Sequence, residues 1–512
     1  MASVRTIVEL LERGEAAAAA VRAPERAPLS YDGLRHQITE TVETLNGLGL
    51  GRGDRLAIVL PNGPVMATAF LAVAAGATAA PLNPAYTASE FDFYLADLGA
   101  RGLIVQAGVD SPVREVARQR GLSLIELHPL AEVEAGRFTL ISESGPLASP
   151  ASPGPAGPND VALVLHTSGT TSRPKIVPLL QRNICQSAHN VSETLQLSAD
   201  DRCLNVMPLF HIHGLIAAVM ASLAGGGSVC CCPPFSGRAF FDWMAATHPT
   251  WYTAVPSMHQ IILGRVADQA EKHATVIRDN PLRLIRSSSS SLAPSVMAEL
   301  ERVFGAPVIE SYGMTEAAHQ MASNPLPPRA RKPGTVGVAA GPEIAIMNDA
   351  GTLLSTGMTG EIVIRGPNVT AGYENNPEAN AVAFQDGWFR TGDQGAFDAD
   401  GYLTITGRLK EIINRGGEKI SPREVDEVLL THPAVAQAVT FALPAEVLGE
   451  EIAAAIVLRE GSTATTDEIQ AFAAERLAKF KVPVRIEFLD EIPKGPTGKL
   501  QRIGLAEKLG LV

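Results

Sequence analysis

Two hydrophobic periodicities alternate along the first third of the chain. Short apolar runs such as Arg55-Leu-Ala-Ile-Val-Leu60 and Gly102-Leu-Ile-Val-Gln106 predict buried strands, and stretches such as Val65 to Ala75 predict helices between them. Strand alternating with helix is the pattern of a parallel sheet. Residues Met1 to Ala20 set Arg5, Glu9, Glu12, Arg13 and Glu15 among apolar positions and predict an amphipathic helix. Between Ala148 and Pro158 only Pro, Gly, Ser and Ala occur, which sustain neither a helix nor a central strand and are expected to separate two subdomains. The alternation then resumes: Val161 to Leu165 is apolar, and Ile184, Ala188, Val191 and Leu195 have helical spacing. From about Pro333 to Tyr402, short β-like segments with turn dipeptides, among them Glu361-Ile-Val-Ile-Arg365, predict a small β-barrel-like subdomain. Beyond Gly407 a compact α/β piece follows, where Ser421, Pro422 and Glu424 predict a helix start closed by a capping box.

Bulk properties narrow the partners. A chain of 512 residues calls for roughly three packed units, and 46% hydrophobic residues can fill them. The formal net charge of -12 argues against a nucleic-acid or anionic-membrane surface, so any anionic ligand needs a local site. Five cysteines, three of them consecutive at Cys230-Cys231-Cys232 in an apolar stretch, suit a buried strand in a reducing compartment better than disulfides or zinc. No apolar run reaches the roughly 18 residues of a membrane span, and the first residues do not read as a secretory signal. The terminal Leu509-Gly-Leu-Val512 is not a Ser-Lys-Leu address. A cytoplasmic protein without membrane insertion, monomer or homodimer, is the expectation.

Candidate chemistry begins at His166-Thr-Ser-Gly-Thr-Thr-Ser-Arg-Pro-Lys175, directly after an apolar run. Small residues let backbone N–H groups approach phosphate oxygens, hydroxyls add donors, and a lysine supplies a point charge. It is not a Walker A loop: counted from Gly169, Pro174 takes the place of the second glycine and Ile176 that of the Mg-binding hydroxyl. Five further segments follow in order: Ser311-Tyr-Gly-Met-Thr-Glu316, Thr391-Gly-Asp393, Gly407-Arg-Leu-Lys410, Asn414-Arg-Gly-Gly-Glu-Lys-Ile-Ser-Pro422 and Pro493-Lys-Gly-Pro-Thr-Gly-Lys499. Taken together, these motifs resemble those of the adenylate-forming (acyl-CoA synthetase) superfamily.

The resemblance implies an α/β fold: a large N-terminal domain, 1–407, of two doubly wound sheet subdomains plus a small β-barrel-like one, and a small mobile α+β domain, 408–512. It implies an ATP-dependent ligase that makes an acyl-adenylate and then a coenzyme A thioester. Thr167, Ser168, Gly169, Thr170, Thr171 and Lys175 would hold phosphates, and Glu310, Ser311, Tyr312, Gly313, Met314 and Thr315 the adenine side. Asp393 and Arg408 would take the ribose and α-phosphate, and Thr167 and Glu316 a Mg²⁺ ion. Lys410 matches the hinge, Arg415, Gly416 and Gly417 the coenzyme A side, and Lys499 the catalytic lysine. The chemical need is clear: an anionic carboxylate attacks an anionic phosphate, so preorganised cations must sit where charge builds up.

The acid is indicated by polar residues where a fatty acyl tail would need apolar ones. Pro208-Leu-Phe-His-Ile-His-Gly214 places His211 and His213, Ala317-Ala-His319 adds a third histidine, and Arg286-Ser-Ser-Ser-Ser-Ser291 adds hydroxyls. A second buried carboxylate costs several kcal/mol unless donors satisfy it. These segments, with Trp251 to Gln260 and Ser323-Asn-Pro-Leu-Pro327, are similar to oxalate-CoA ligases of plants and fungi. That similarity implies oxalate as the small carboxylic acid, with His213, Ser289 and His319 at its distal carboxylate and His211 at the gate toward coenzyme A. Ile176, Ser288 and Ser290 depart from the family pattern. A malonate or short- to medium-chain acid ligase is the alternative, and a catalytically silent nucleotide-binding protein the alternative of another class.

Overall fold

A computed structural model of the chain describes residues 4–143, 149–167, 174–493 and 502–512. Its described residues form two compact units. The first takes in Met1–Thr167, Lys175–Ile344 and Ile364–Gly387, and the second Ala345–Val363 and Trp388–Val512.

Two large sheets organise the first unit. One runs, edge to edge, through Phe138–Ser142, Ser123–Pro129, Gly102–Gln106, Arg55–Val59, Thr78–Pro81, Val161–Thr167 and Lys175–Leu180, parallel except at its two outer pairs. The other has nine strands: Val338–Ala339, His319–Ser323, Val308–Met314, Leu284–Ser287, Trp251–Ala254, Arg202–Asn205, Ser228–Cys231, Ala19–Arg22 and Leu29–Ser30. Its central strands are buried throughout, as parallel strands covered on both faces should be. On one face Tyr252 and Ile285 pack with Phe240, Phe241, Leu300 and Phe304 into a continuous core.

The strands Arg55–Val59 and Gly102–Gln106 and the helix Pro64–Ala74 stand where periodicity predicts them. Two expectations change. The Pro/Gly/Ser/Ala stretch does not part the sheets, because Val161–Thr167 after it returns to the first sheet beside Thr78–Pro81, and Ala19–Arg22 far before it joins the second. At the N-terminus, only Ile7–Leu11 is helical, closed by a Thr6–Glu9 capping box; sheet pairing overrides the helix propensity of the alanines that follow.

The second unit contains Trp388–Phe397 and Leu403–Arg408 as antiparallel neighbours. It also holds a sheet of Ile413–Arg415, Glu418–Ile420, Val435–Ala445, Gly449–Leu458 and Arg485–Phe488, packed on helices Pro422–Leu429 and Thr466–Ala474 through Ile413, Val425, Leu429, Ile456 and Ile469. Ser421 and Pro422 do open a helix, but no capping box forms: the Ser421 hydroxyl donates to the Thr406 carbonyl, and Glu424 pairs with Lys481. The whole is the α/β architecture predicted, two doubly wound sheets, a small β subdomain and a C-terminal α+β piece. Among the described residues no helix is long and apolar enough to cross a membrane. All five cysteines are free and buried, and burial pushes the thiols of Cys185, Cys203 and Cys231 up, away from nucleophilic use.

Candidate active site

Strand Val308–Met314 leads into a one-turn 3₁₀ helix, Thr315–Ala317, and doubles back as His319–Ser323. The reversal needs Gly313: a Cβ there would lie 1.8 Å from the His319 carbonyl oxygen. His319 itself sits at φ 108°, a strained setting for a residue with a side chain. The turn buries Glu316, whose Oε1 accepts the Tyr373 hydroxyl at 2.8 Å. The same tyrosine ring lies under Lys175, with Nζ 4.3 Å from its centroid, so one aromatic side chain touches both the phosphate-loop lysine and the expected metal ligand. Upstream on the strand, Glu310 Oε1 accepts from the Leu292 amide at 3.0 Å, and the Ser311 and Ser323 hydroxyls lie 2.9 Å apart. The Ser288 hydroxyl, from the polyserine run, donates to the Ser311 carbonyl. Tyr312 is buried, while Met314 is only half-buried at the strand end.

Lys175 opens a strand rather than a helix, and Thr167, its cross-strand partner, closes the preceding one. Val161–Thr167 and Lys175–Leu180 are therefore antiparallel neighbours, and helix Gln181–Thr194 follows only after the second. Ser168, Gly169, Thr170 and Thr171 lie outside the described residues, as does Lys499.

Three of the polar residues expected at the acyl end do come together. His213 begins a π-helical stretch, His213–Met220, a geometry common at functional sites. Its Nδ1 is 3.0 Å from Ser289 Oγ, its Nε2 2.6 Å from Thr253 Oγ1, and its ring centroid 5.0 Å from that of His319. Ser289 is held at φ 72°. Arg286 Nη1 approaches His213 Nε2 at 3.3 Å, while Nη2 donates to Gln320 Oε1 at 3.4 Å. Burial above all, then His319, Arg286, His259 and His211, holds His213 well below the usual imidazole value, so the ring is neutral. His211 is half-buried just before the π-helix, its ring against Phe210.

In the second unit, Asp393 and Arg408 are register partners on neighbouring strands, joined by an Arg408 Nε to Asp393 Oδ1 bond of 3.1 Å. Thr391 and Gly392 brace the turn: the Thr391 hydroxyl accepts from the Asp393 amide and donates to the Ile362 carbonyl, and Glu361 accepts from the Gly392 amide. Lys410 is exposed two residues on. Gly416 and Gly417, both at positive φ, are the two loop residues of the hairpin between Ile413–Arg415 and Glu418–Ile420, a turn that demands this conformation. Arg415 makes a two-point ion pair with Glu451.

Lys175 and buried Glu316 on one tyrosine, and an Asp393–Arg408 pair in the second unit, are the charged groups the structure brings together, and comparison with known proteins identifies the family. Residues 11–374 match the model of the AMP-binding enzyme family, and residues 424–499 that of the AMP-binding enzyme C-terminal domain. The chain belongs to the AMP-binding enzyme family. An oxalate–CoA ligase from Arabidopsis thaliana is 46% identical over 492 residues, 94% of this chain and 95% of that protein. An oxalate–CoA ligase from Saccharomyces cerevisiae is 42% identical over 483 residues, 89% and 87% of the two chains. The crystal structure of ATP-bound MatB from Rhodopseudomonas palustris superposes with a TM-score of 0.86 at 28% identity, covering 98% of each chain.

Four participants had no role in the sequence reading of this AMP-binding enzyme: Thr253 and Arg286, which lie inside the segments Trp251 to Gln260 and Arg286 to Ser291, and Gln320 and Tyr373, which lie outside every quoted segment. An arginine directly after Leu284-Ile285 was the visible signal.

Proposed function

We propose that the protein is an AMP-forming acid–CoA ligase whose acid is oxalate. One carboxylate of the acid attacks the α-phosphorus of ATP, releasing pyrophosphate and leaving an acyl-adenylate; the coenzyme A thiol then displaces AMP to give the thioester. The observation that carries the substrate is the cluster of buried His213 and His319 with half-buried Ser289, and Arg286 beside His213. It supplies hydrogen-bond donors and positive charge, where a fatty acyl tail would gain nothing.

Within this reading, Lys175 and the loop 168–171 bind phosphates, and the stretch from Glu310 to Thr315 lies along the adenine. Asp393 accepts from the ribose hydroxyls, and Arg408, already bonded to it, reaches the ribose or α-phosphate. Glu316 and Thr167 would hold Mg²⁺, which when bound neutralises charge on the phosphates. The fit is sound, since a hard oxygen donor, fixed in orientation by Tyr373, is what this ion takes together with phosphate oxygens. Lys499 supplies the cation at the reacting phosphate, Lys410 is the hinge of a mobile 408–512 domain, His211 lines the gate to coenzyme A, and Arg415 with Gly416 and Gly417 faces that cosubstrate.

AMP and thioester formation, measured with ATP, Mg²⁺, coenzyme A and a panel of oxalate, malonate, acetate, hexanoate and a coumarate, tests the reading. Strong preference for oxalate, abolished with Lys499→Ala, is expected. Activity mainly on hexanoate or coumarate overturns the substrate, and silence with every acid overturns the ligase itself.

A further inference from the structure

Arg286 has no exposed surface, and among the described residues no carboxylate pairs with it. Its Nε has no hydrogen-bond partner, and its other contacts are His213 Nε2 and Gln320 Oε1. A buried cation left this way is costly. Gln320 cannot relieve it by turning over, because its Nε2 faces three acceptors, Asn190 O, Thr194 Oγ1 and Ala340 O, at 3.0 to 3.1 Å, which keeps Oε1 toward the guanidinium.

A guanidinium offers only donors. An Arg286 N–H aimed at His213 Nε2 therefore requires a lone pair there: an Nε2–H tautomer would set two N–H groups face to face, and an imidazolium would add a second buried cation. The Thr253 hydroxyl lies 2.6 Å from the same nitrogen and, with that lone pair bare, shares it with the guanidinium as a second donor. The single ring proton of neutral His213 then belongs on Nδ1, 3.0 Å from Ser289 Oγ, and is donated to it. Having accepted that bond, Ser289 turns its own hydrogen onward. A hydroxyl can face a ligand as donor or acceptor, and a carboxylate only accepts; the polarity of this chain decides which the ligand meets.

We infer that Arg286 is a positioning residue of the acyl pocket: it fixes His213 in the Nδ1–H form and so makes Ser289 a hydrogen-bond donor toward the second carboxylate of the substrate. The inference rests on the reading of this cluster as the site of a small dicarboxylate. It deepens that reading by naming what gives the pocket its donor polarity, a residue that touches no substrate itself.

The tautomer is measured directly by ¹⁵N spectra of histidine-labelled protein, with His213 assigned by difference against His213→Gln. A protonated Nδ1 and a bare Nε2 are expected in the wild type and lost in Arg286→Met; an Nε2–H or imidazolium signal overturns the inference. Kinetics supply the second readout. Arg286→Met and Ser289→Ala should each lower the oxalate-to-acetate ratio of kcat/KM at least tenfold, with the oxalate loss mainly in KM. Arg286→Lys, which keeps a donor, should recover part of it. Because the two residues act through one chain, the double variant should be little worse than either single, and fully additive losses overturn the coupling. If Arg286→Met fails to fold, the wild-type spectrum and the Arg286→Lys and Ser289→Ala kinetics decide the same question. A wild type with the expected spectrum but no oxalate activity would overturn the substrate and leave the tautomer assignment standing.

Discussion

Tyr373→Phe isolates one hydrogen bond in the candidate metal and phosphate region. The tyrosine ring keeps its place, so the contact with Lys175, 4.3 Å from the centroid, survives; what goes is the hydroxyl that donates to Glu316 Oε1 at 2.8 Å. Both side chains are buried, and a hydrogen bond to a charged group is worth about 1.5–3 kcal/mol. If Glu316 ligates Mg²⁺, the loss appears as freedom of the carboxylate to turn, and partners that orient a ligand typically contribute about 10- to 100-fold in metal affinity. The two magnitudes agree, since tenfold corresponds to about 1.4 kcal/mol. The assay is pyrophosphate release titrated with Mg²⁺ at saturating acid. Half-saturation should rise about 10- to 100-fold, with a far smaller change in kcat once Mg²⁺ saturates. Tyr373→Leu, which also removes the ring beneath Lys175, should raise the KM for ATP as well. A folded Tyr373→Phe enzyme with unaltered Mg²⁺ half-saturation would refute the assignment of Glu316 as an oriented metal ligand.

Other outcomes follow from buried charge. His213 and His259 are both held below the ordinary imidazole value, His259 to about 3, mainly by burial. Their neutral forms therefore stabilise the fold above the unfolded value near 6.5, and that stability is lost as pH falls, by about 1.4 kcal/mol for His259 between pH 7.5 and 5.5. Urea unfolding at the two pH values should show His259→Gln flatter than wild type by that amount. In the second unit, Arg502 joins Asp426 at 2.5 Å, Glu411 at 3.1 Å and the Thr440 carbonyl at 2.9 Å. Arg502→Met should cost about 3–5 kcal/mol by stranding buried Asp426, and Asp426→Leu added to it should restore much of the loss in denaturant melts. Gly313→Ala, with no room against the His319 backbone, should lower the melting temperature and oxalate turnover together.

Strong periodicity made most strands and helices legible, and local chemistry misled where a distant partner intervened. The helical spacing from Ile184 to Leu195 put a helix after the loop at 166–175, and the intervening Lys175-Ile-Val-Pro-Leu-Leu180, with a proline that removes a ladder donor, drew no strand assignment. It is a strand, because it forms the edge of its sheet, where that donor is not needed. The capping box at Ser421 failed because the hydroxyl found the Thr406 carbonyl, a partner set by tertiary packing. At the candidate site, His213, Ser289 and His319 were readable from composition and resemblance. Tyr373 was not, since its partner Glu316 is 57 residues away and only the fold joins them.

Thr253 and Arg286 show how such a site could be found from sequence. They are register partners on adjacent parallel strands, Trp251–Ala254 and Leu284–Ser287, on the face opposite Tyr252 and Ile285. An interior parallel strand is covered on both sides and should read as a continuous apolar run. A polar residue inside such a strand therefore cannot mean water on that side, as it would in an antiparallel sheet. It means a buried polar layer, and here that layer carries the guanidinium and hydroxyl that grip His213. Breaks in local consistency of this kind are expected where function overrides stability. Apolar replacement of the layer, Thr253→Val with Arg286→Met, should then raise the melting temperature while lowering oxalate discrimination, and a double variant that loses both would place these residues in the structural core instead.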